Sequence, residues 1–127
     1  MKEFTYKGKK LEELKALTIS EFANFVPSRI RRTLSRQAEE IGRFLKKCDK
    51  KNSMKKPIRT HARSLVIVPN MVGFTIHVHA GKEYFPVQIT QEMFGHRLGE
   101  FTQTRRPVKH GAAGIGATRG SAFMSVK

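Results

Sequence analysis

The chain has 127 residues, 39% of them hydrophobic, with 25 Lys and Arg against 10 Asp and Glu, a net charge of +15. That length predicts one domain with a small core, and a surplus that repels itself in a compact chain points to a polyanionic partner. The longest aliphatic run, Leu65-Val66-Ile67-Val68, falls far short of the ~20 residues that span a bilayer, and the single Cys48 allows neither an intrachain disulfide nor a cysteine zinc cluster.

The N-terminus, Met1-Lys2-Glu3-Phe4-Thr5-Tyr6-Lys7, lacks the apolar stretch of a signal peptide, so a soluble intracellular protein is expected. With no Trp and two Tyr, stacking on bases is expected to be minor. The charge is segregated. Residues 28–63 hold 13 basic and 3 acidic side chains, residues 64–104 hold two and three, and residues 105–127 hold five and none. A solubility surface mixes its signs. Here a near-neutral, packable block lies between two basic ones.

Residues 9–26 read as two short helical pieces. Leu11, Leu14 and Leu17 carry the first, and Ile19, Phe22, Phe25 and Val26 the second. Thr18 or Ser20 can cap the second piece, and Pro27 stops it. A longer helix is predicted from about Ser28 to Lys47. Ile30, Leu34, Ala38, Ile41, Leu45 and Cys48 fall on one stripe. At about 100° per residue, Arg29, Arg32, Arg36, Arg43 and Lys47 fall on the opposite stripe, interrupted by Glu39 and Glu40. Cys48, at the end of the apolar stripe, reads as core.

Residues 49–63 read as a lysine-rich linker that orders on phosphate. A sheet follows. Leu65–Val68 is predicted as a buried strand. Gly73–Ala80 alternates, with Phe74, Ile76 and Val78 on one face and Thr75, His77 and His79 on the other. Ala80-Gly81-Lys82-Glu83 supplies a turn, and Tyr84–Ile89 returns with Phe85, Val87 and Ile89 facing the core. Pro86 cannot donate to a ladder, so that strand is an edge or carries a bulge. Thr90 starts a short helix with Met93, Phe94 and Leu98 as its apolar contacts, and Gly95 and Gly99 weaken or end it. The predicted class is α+β: N-terminal helices packed on a small three-stranded, mainly antiparallel sheet. The last 23 residues, rich in Gly and Ala, read as an extended basic arm.

Chemistry is sparse. His77 and His79 have a possible metal-ligand spacing, but zinc needs a third and usually a fourth ligand. Gly114-Ile115-Gly116-Ala117-Thr118-Arg119-Gly120 has its third glycine one place late for a dinucleotide loop, with no strand before it and no helix after. Glu92 and Glu100 near His96 could make an acid–base pair, as in almost any protein. No metal, cofactor, small-molecule substrate or turnover is expected. Nucleic-acid binding remains, with shape recognition of folded RNA suiting the composition.

The centre of the chain then resembles a known family. Pro57-Ile58-Arg59-Thr60-His61-Ala62-Arg63-Ser64, Pro69-Asn70-Met71-Val72-Gly73-Phe74-Thr75-Ile76, Val78-His79-Ala80-Gly81-Lys82 and Pro86-Val87 carry the likeness. Its most specific part is Met93-Phe94-Gly95-His96-Arg97-Leu98-Gly99-Glu100-Phe101 with Thr104-Arg105. The family is the universal small-subunit ribosomal protein numbered nineteen, whose eukaryotic member is numbered fifteen. The likeness covers about residues 55–106. The long N-terminal helical part and the Gly-Ala arm resemble the archaeal and eukaryotic branch, and Gly116-Ala117-Thr118-Arg119 looks archaeal.

The resemblance implies a structural, cytoplasmic, ribosome-bound protein of the small-subunit head. It would bind the 3′ major domain of the small-subunit rRNA beside the ribosomal protein numbered thirteen, with a C-terminal tail reaching towards the tRNA sites. The expected organisation is a helical part at 1–54, a sheet-and-helix core at 55–104 and the arm at 105–127. Expected phosphate contacts are Arg29, Arg32, Arg36, Lys55, Lys56, Arg59 and Arg63. Thr60, His61, His77, His79 and Lys82 are candidates for ribose, phosphate or base-edge hydrogen bonds, and His96 and Arg97, projecting from the short helix, are also expected to bind rRNA. Arg105, Arg106, Lys109, His110 and Arg119 would act from the tail. The alternatives are a free-standing DNA-binding or RNA-binding protein and, from the enzyme class, a metal-dependent nuclease.

Overall fold

A computed structural model describes residues 4–108, together with Gly111 and Gly114. Three helices come first: α1 (Leu11–Ala16), α2 (Ile19–Phe22), prolonged by a 3₁₀ turn at Ala23–Phe25, and α3 (Ser28–Ser53). The two short pieces meet at Thr18, whose hydroxyl accepts from the Glu21 amide at 3.3 Å while the Glu21 carboxylate accepts from the Thr18 amide at 2.8 Å. That reciprocal cap satisfies two amides a helix start leaves orphaned. The Thr18 amide and hydroxyl both donate to the Glu21 carboxylate and hold that carboxyl below its ordinary range. Arg31, in the first turn of α3, ties back to the 3₁₀ turn, donating to the carbonyls of Ala23 at 3.0 Å and Asn24 at 3.3 Å.

Leu34, Ile41, Phe44 and Cys48 of α3 are buried, and Ile30, Ala38 and Leu45 are partly so. Phe44 was not on the predicted stripe, and it widens the apolar face beyond a single row. Burial also decides the chemistry of Cys48: desolvation, reinforced by Asp49, pushes its thiol up to about 11. A thiol that stays protonated is inert core, not a nucleophile.

The helix runs six residues past Lys47, to Ser53, which overturns residues 49–53 of the expected linker. Its second half is corrected as well, because Ile58–Thr60 forms a strand, β1. It lies parallel to β2 (Thr75–His79), with Ile58 opposite Ile76 and Thr60 opposite Val78. β2 pairs antiparallel with β3 (Tyr84–Gln88), His79 opposite Tyr84 and Thr75 opposite Gln88. The sheet order is β1-β2-β3, so Pro86 lies on an edge strand. The sheet is mixed, with an antiparallel hairpin and one parallel neighbour.

Leu65–Val68 is not a strand of this sheet. All four side chains are at most 2% exposed, so the apolar run is core. Its backbone partners lie in the 95–98 segment: the Ile67 amide donates to the His96 carbonyl (2.8 Å), Gly95 to Ile67 (3.3 Å) and Leu98 to Leu65 (3.0 Å). Buried amides and carbonyls need partners, and here a single isolated bridge, Val66 opposite Arg97, supplies the ladder. The expected helix after Thr90 divides into two 3₁₀ turns, Gln91–Met93 and Leu98–Phe101. Gly95 separates them with a positive φ of 76°, a conformation that removes the helix path for any residue with a β-carbon.

Phe85 also departs from expectation. It shares the inward parity of Val87, yet it is 47% exposed. It lies near the hairpin end of the edge strand β3, opposite Val78, which is itself fully buried. One hydrophobic cluster joins Leu14 and Phe22 of the first helices, the apolar face of α3, Leu65–Val68, the inner sheet face and Leu98. Residues 103–108 are exposed and lie outside any element, and the expected arm beyond them is outside the described residues apart from Gly111 and Gly114.

Thr18→Ala removes the hydroxyl half of the cap. It should lower stability by about 1 kcal/mol in chemical denaturation, with the folded far-UV spectrum unchanged.

Candidate nucleic-acid interface

Three basic or polar surfaces follow from this fold. The first is the solvent side of α3. Arg29, Arg32, Arg36, Arg43 and Lys47 are all exposed, because the opposite face of the helix is taken by the core. Arg43 reaches Glu39 at 3.9 Å, a loose contact between two largely exposed side chains. Such a pair is worth a few tenths of a kcal/mol and leaves the stripe open.

The second surface lies where α3 ends. Lys55 and Lys56 are exposed, and with Asn52, Thr75 and His77 they line a cleft of roughly 500 Å³ between the helix terminus and the start of β2.

The third is the outer face of the sheet, which carries Arg59, Thr75, His77, His79 and Tyr84. The parallel pairing sets Arg59 beside His77, and the hairpin sets Tyr84 beside His79. His61, just past β1, stacks on His79 with ring centroids 4.3 Å apart and planes 30° apart. Its Nε2 shares a 2.6 Å hydrogen bond with the Tyr84 hydroxyl. The Arg59 guanidinium lies 5.4 Å from the Tyr84 ring centre. Composition alone promised few stacking surfaces. The fold nonetheless gathers three rings and a guanidinium into one patch, in which Arg59 and His61 are exposed. Imidazole, phenol and guanidinium faces can stack on bases, and their N–H and O–H groups can reach ribose or phosphate.

Two of the expected contact residues have structural duties. The Thr60 hydroxyl is turned inward, 8% exposed, and accepts from the Ala62 amide at 3.1 Å. Arg63 is only partly exposed, and its guanidinium serves three carbonyls. Its Nη1 donates to His79 at 2.6 Å, and its Nη2 donates to Gly99 at 2.9 Å and Thr102 at 2.7 Å. A β-carbon at Gly99 would lie 3.0 Å from the Arg63 carbonyl oxygen and from its Cβ, so a larger residue there would have to push Arg63 by a few tenths of an ångström. Arg63 thereby clamps the end of β2, the last 3₁₀ turn and the exit towards residue 103 into one unit.

His96 is exposed, and its Nδ1 lies 2.7 Å from Glu100 Oε2. Glu100 Oε1 accepts from the Arg97 amide at 3.2 Å. Partial burial pushes the Glu100 carboxyl up, but the hydrogen bonds from His96 and the Arg97 backbone outweigh it and hold the group below its ordinary value. The pair therefore caps a turn. Lys82 lines a small recess at the hairpin tip with Glu83, Gln103 and Arg106, and Arg106 reaches Glu83 at 3.9 Å. Arg105 is exposed. Lys109, His110 and Arg119 lie outside the described residues. Among the described residues, no three His, Cys, Asp or Glu gather around a common point, and no helix is long and apolar enough to cross a membrane.

Sequence reasoning missed Tyr84 and Asn52 as members of these surfaces, and placed Thr75 on the outer sheet face without counting it among the contact residues. A tight turn at residues 80–83 was enough to place Tyr84 opposite His79. The approach of His61 and Asn52 depends on the parallel pairing of β1, which has no local signal.

The family model described as ribosomal protein S19 matches residues 24–110. A curated relative from Thermoplasma acidophilum, small ribosomal subunit protein uS19, is 44% identical over 126 residues, covering 99% of this chain and 82% of that protein.

Arg63→Ala should cost about 2–4 kcal/mol in denaturant unfolding, because it removes charge-assisted hydrogen bonds from three carbonyls at once. The Glu100 carboxyl, lowered on folding, contributes stability that is present above its unfolded value and is lost as pH falls through its lower folded value. Glu100→Gln should therefore flatten the acid limb of the stability profile. The effect should stay under about 1 kcal/mol, since both partners are about half exposed.

Proposed function

The chain belongs to the ribosomal protein S19 family, in its archaeal form, and from that premise we propose how its surfaces are used. As a member it is a structural, non-catalytic constituent of the small ribosomal subunit, bound to rRNA in the cytoplasmic ribosome. The finer reading is that it lies in the subunit head, on the 3′ major domain of the rRNA, beside the ribosomal protein numbered thirteen. The tail carrying Arg105, Arg106, Lys109, His110 and Arg119 would extend towards the tRNA sites.

The observation that carries the RNA-contact reading is the division of α3 into two faces. One face holds Leu34, Ile41, Phe44 and Cys48 in the core, and the other presents Arg29, Arg32, Arg36, Arg43 and Lys47 to solvent. A row of arginines that the core does not need matches the spaced negative charge of an RNA backbone. Lys55, Lys56, Arg59 and Lys82 extend the basic surface around the sheet. His61, His77 and His79 add hydrogen-bonding groups on its outer face, and His96 and Arg97 add more at the turn. Arg63 and Thr60 support this surface from behind through their own hydrogen bonds.

The double variant Arg29→Glu/Arg36→Glu should keep its melting temperature and lose affinity for a small-subunit rRNA transcript. Each lost phosphate contact lowers the salt slope by ~0.7–0.9 log units, so two should cost at least ~20-fold at 0.15 M salt. Unchanged affinity and slope would mean that this stripe meets protein or solvent. Equal affinity of the wild type for duplex DNA would favour a free-standing nucleic-acid binder over the ribosomal placement.

A further inference from the structure

The end of α3 is built against a local preference. The Lys56 amide donates to the Lys51 carbonyl and the Lys55 amide to the Asn52 carbonyl, both at 2.9 Å. That pair of bonds is the Schellman closure, in which the residue after the cap adopts the left-handed conformation. Lys55 holds that position with φ of 51°. Glycine is the usual occupant, because a β-carbon there crowds the following carbonyl. A lysine at this point costs stability that its backbone hydrogen bonds do not need it to spend. Strain of this kind, observed at a specific residue, is a pointer to function.

The side-chain setting supplies the function. Lys55 and Lys56 line the roughly 500 Å³ cleft together with Asn52, Thr75 and His77. Its described lining also takes in Pro57, Ile58, Gly73 and Phe74 and contains no carboxylate; its polar members are two lysines, an asparagine, a threonine and a histidine. A single Lys beside a helix C-terminus can be explained by the helix dipole. Two lysines facing a polar cleft from one strained turn are better matched to an anion with several oxygens. Lys51 is already engaged, its Nζ donating to the Pro57 carbonyl at 3.4 Å and bracing the turn.

We propose that this cleft is a binding site for one backbone phosphodiester of RNA, and that Lys55 is kept in a left-handed conformation to aim its ammonium at that phosphate. The proposal rests on the rRNA-binding reading above and adds a defined subsite to it. It makes Lys55 a residue at which folding stability and RNA affinity oppose each other.

The test is Lys55→Gly in the full chain, read by thermal melting and by binding to a small-subunit rRNA transcript across a salt series. Melting should rise by about 4 °C as the backbone strain is relieved. Affinity should fall about 5-fold at 0.15 M salt, with the salt slope shallower by ~0.8 log units, the value of one phosphate. Lys55→Asn, neutral and tolerant of the left-handed region, should follow Lys55→Gly, and Lys55→Arg should keep wild-type affinity. Because Lys55→Gly is the more stable protein, its loss of affinity cannot come from unfolding. A stabilised Lys55→Gly variant with wild-type affinity and slope would overturn the proposal while leaving the RNA-binding reading intact. Failure of the wild type to bind the transcript at all would overturn that reading first.

Discussion

The fold depends on how one buried segment satisfies its backbone. Leu65-Val66-Ile67-Val68 is too apolar to leave the core, and burying it strands amides and carbonyls that water can no longer reach. The 95–98 segment answers with three hydrogen bonds at the positions of Leu65 and Ile67. That contact brings residues thirty positions apart side by side and fixes where the polypeptide enters and leaves the core. Arg63 and Gly99 close it at one end, the guanidinium reaching carbonyls on both sides and the glycine permitting the approach. The position of the sheet relative to the last turns follows from this contact.

With the core so defined, charge has one place to go. Of the 13 basic residues between 28 and 63, most have no role in packing. Arg31 and Arg63 are the ones whose guanidinium groups hold backbone carbonyls. Lys51 holds the Pro57 carbonyl through its ammonium, and the rest face outward on α3, at its C-terminal turn and along the outer sheet. A free protein carrying these charges repels itself, and the repulsion is relieved when phosphate approaches. Binding rRNA is thus the condition under which this charge distribution is stable as well as useful.

The polar groups that might suggest catalysis are accounted for by other means. Glu100 caps the last turn and fixes His96, and His79 receives the Gly81 amide at its Nδ1 at 3.3 Å while stacking on His61. Cys48 is a protonated core thiol. What these groups offer is a preorganised surface, with ring faces and donors held in place before a ligand arrives, which lowers the ordering cost of recognition.

Local chemistry written in the sequence was sufficient for several features. The 3.6-residue repeat in Ile30–Cys48 determined both faces of α3, because a helix places residues on a face by spacing alone. Period-two alternation determined which side of β2 carries His77 and His79, while the helix start was narrowed to Thr18 or Ser20 and the fold chose Thr18. The basic balance, the absence of a chemical motif and the family likeness determined the class of function. Tertiary structure decided the rest. Leu65–Val68 shows buried composition but not its partner, because four apolar residues burden their neighbours equally whether they lie in a sheet or thread beneath one. β1 needs β2 beside it to be a strand, and that parallel pairing spans residues 61–74 of intervening sequence with no turn to announce it. Lys55 reads as one more charge in a basic run until the backbone hydrogen bonds of the Schellman turn force its φ positive. Phe85 has the inward parity of its neighbours and is still exposed beside a buried Val78, because parity chooses a face of the sheet while tertiary packing decides how far each position on that face is covered.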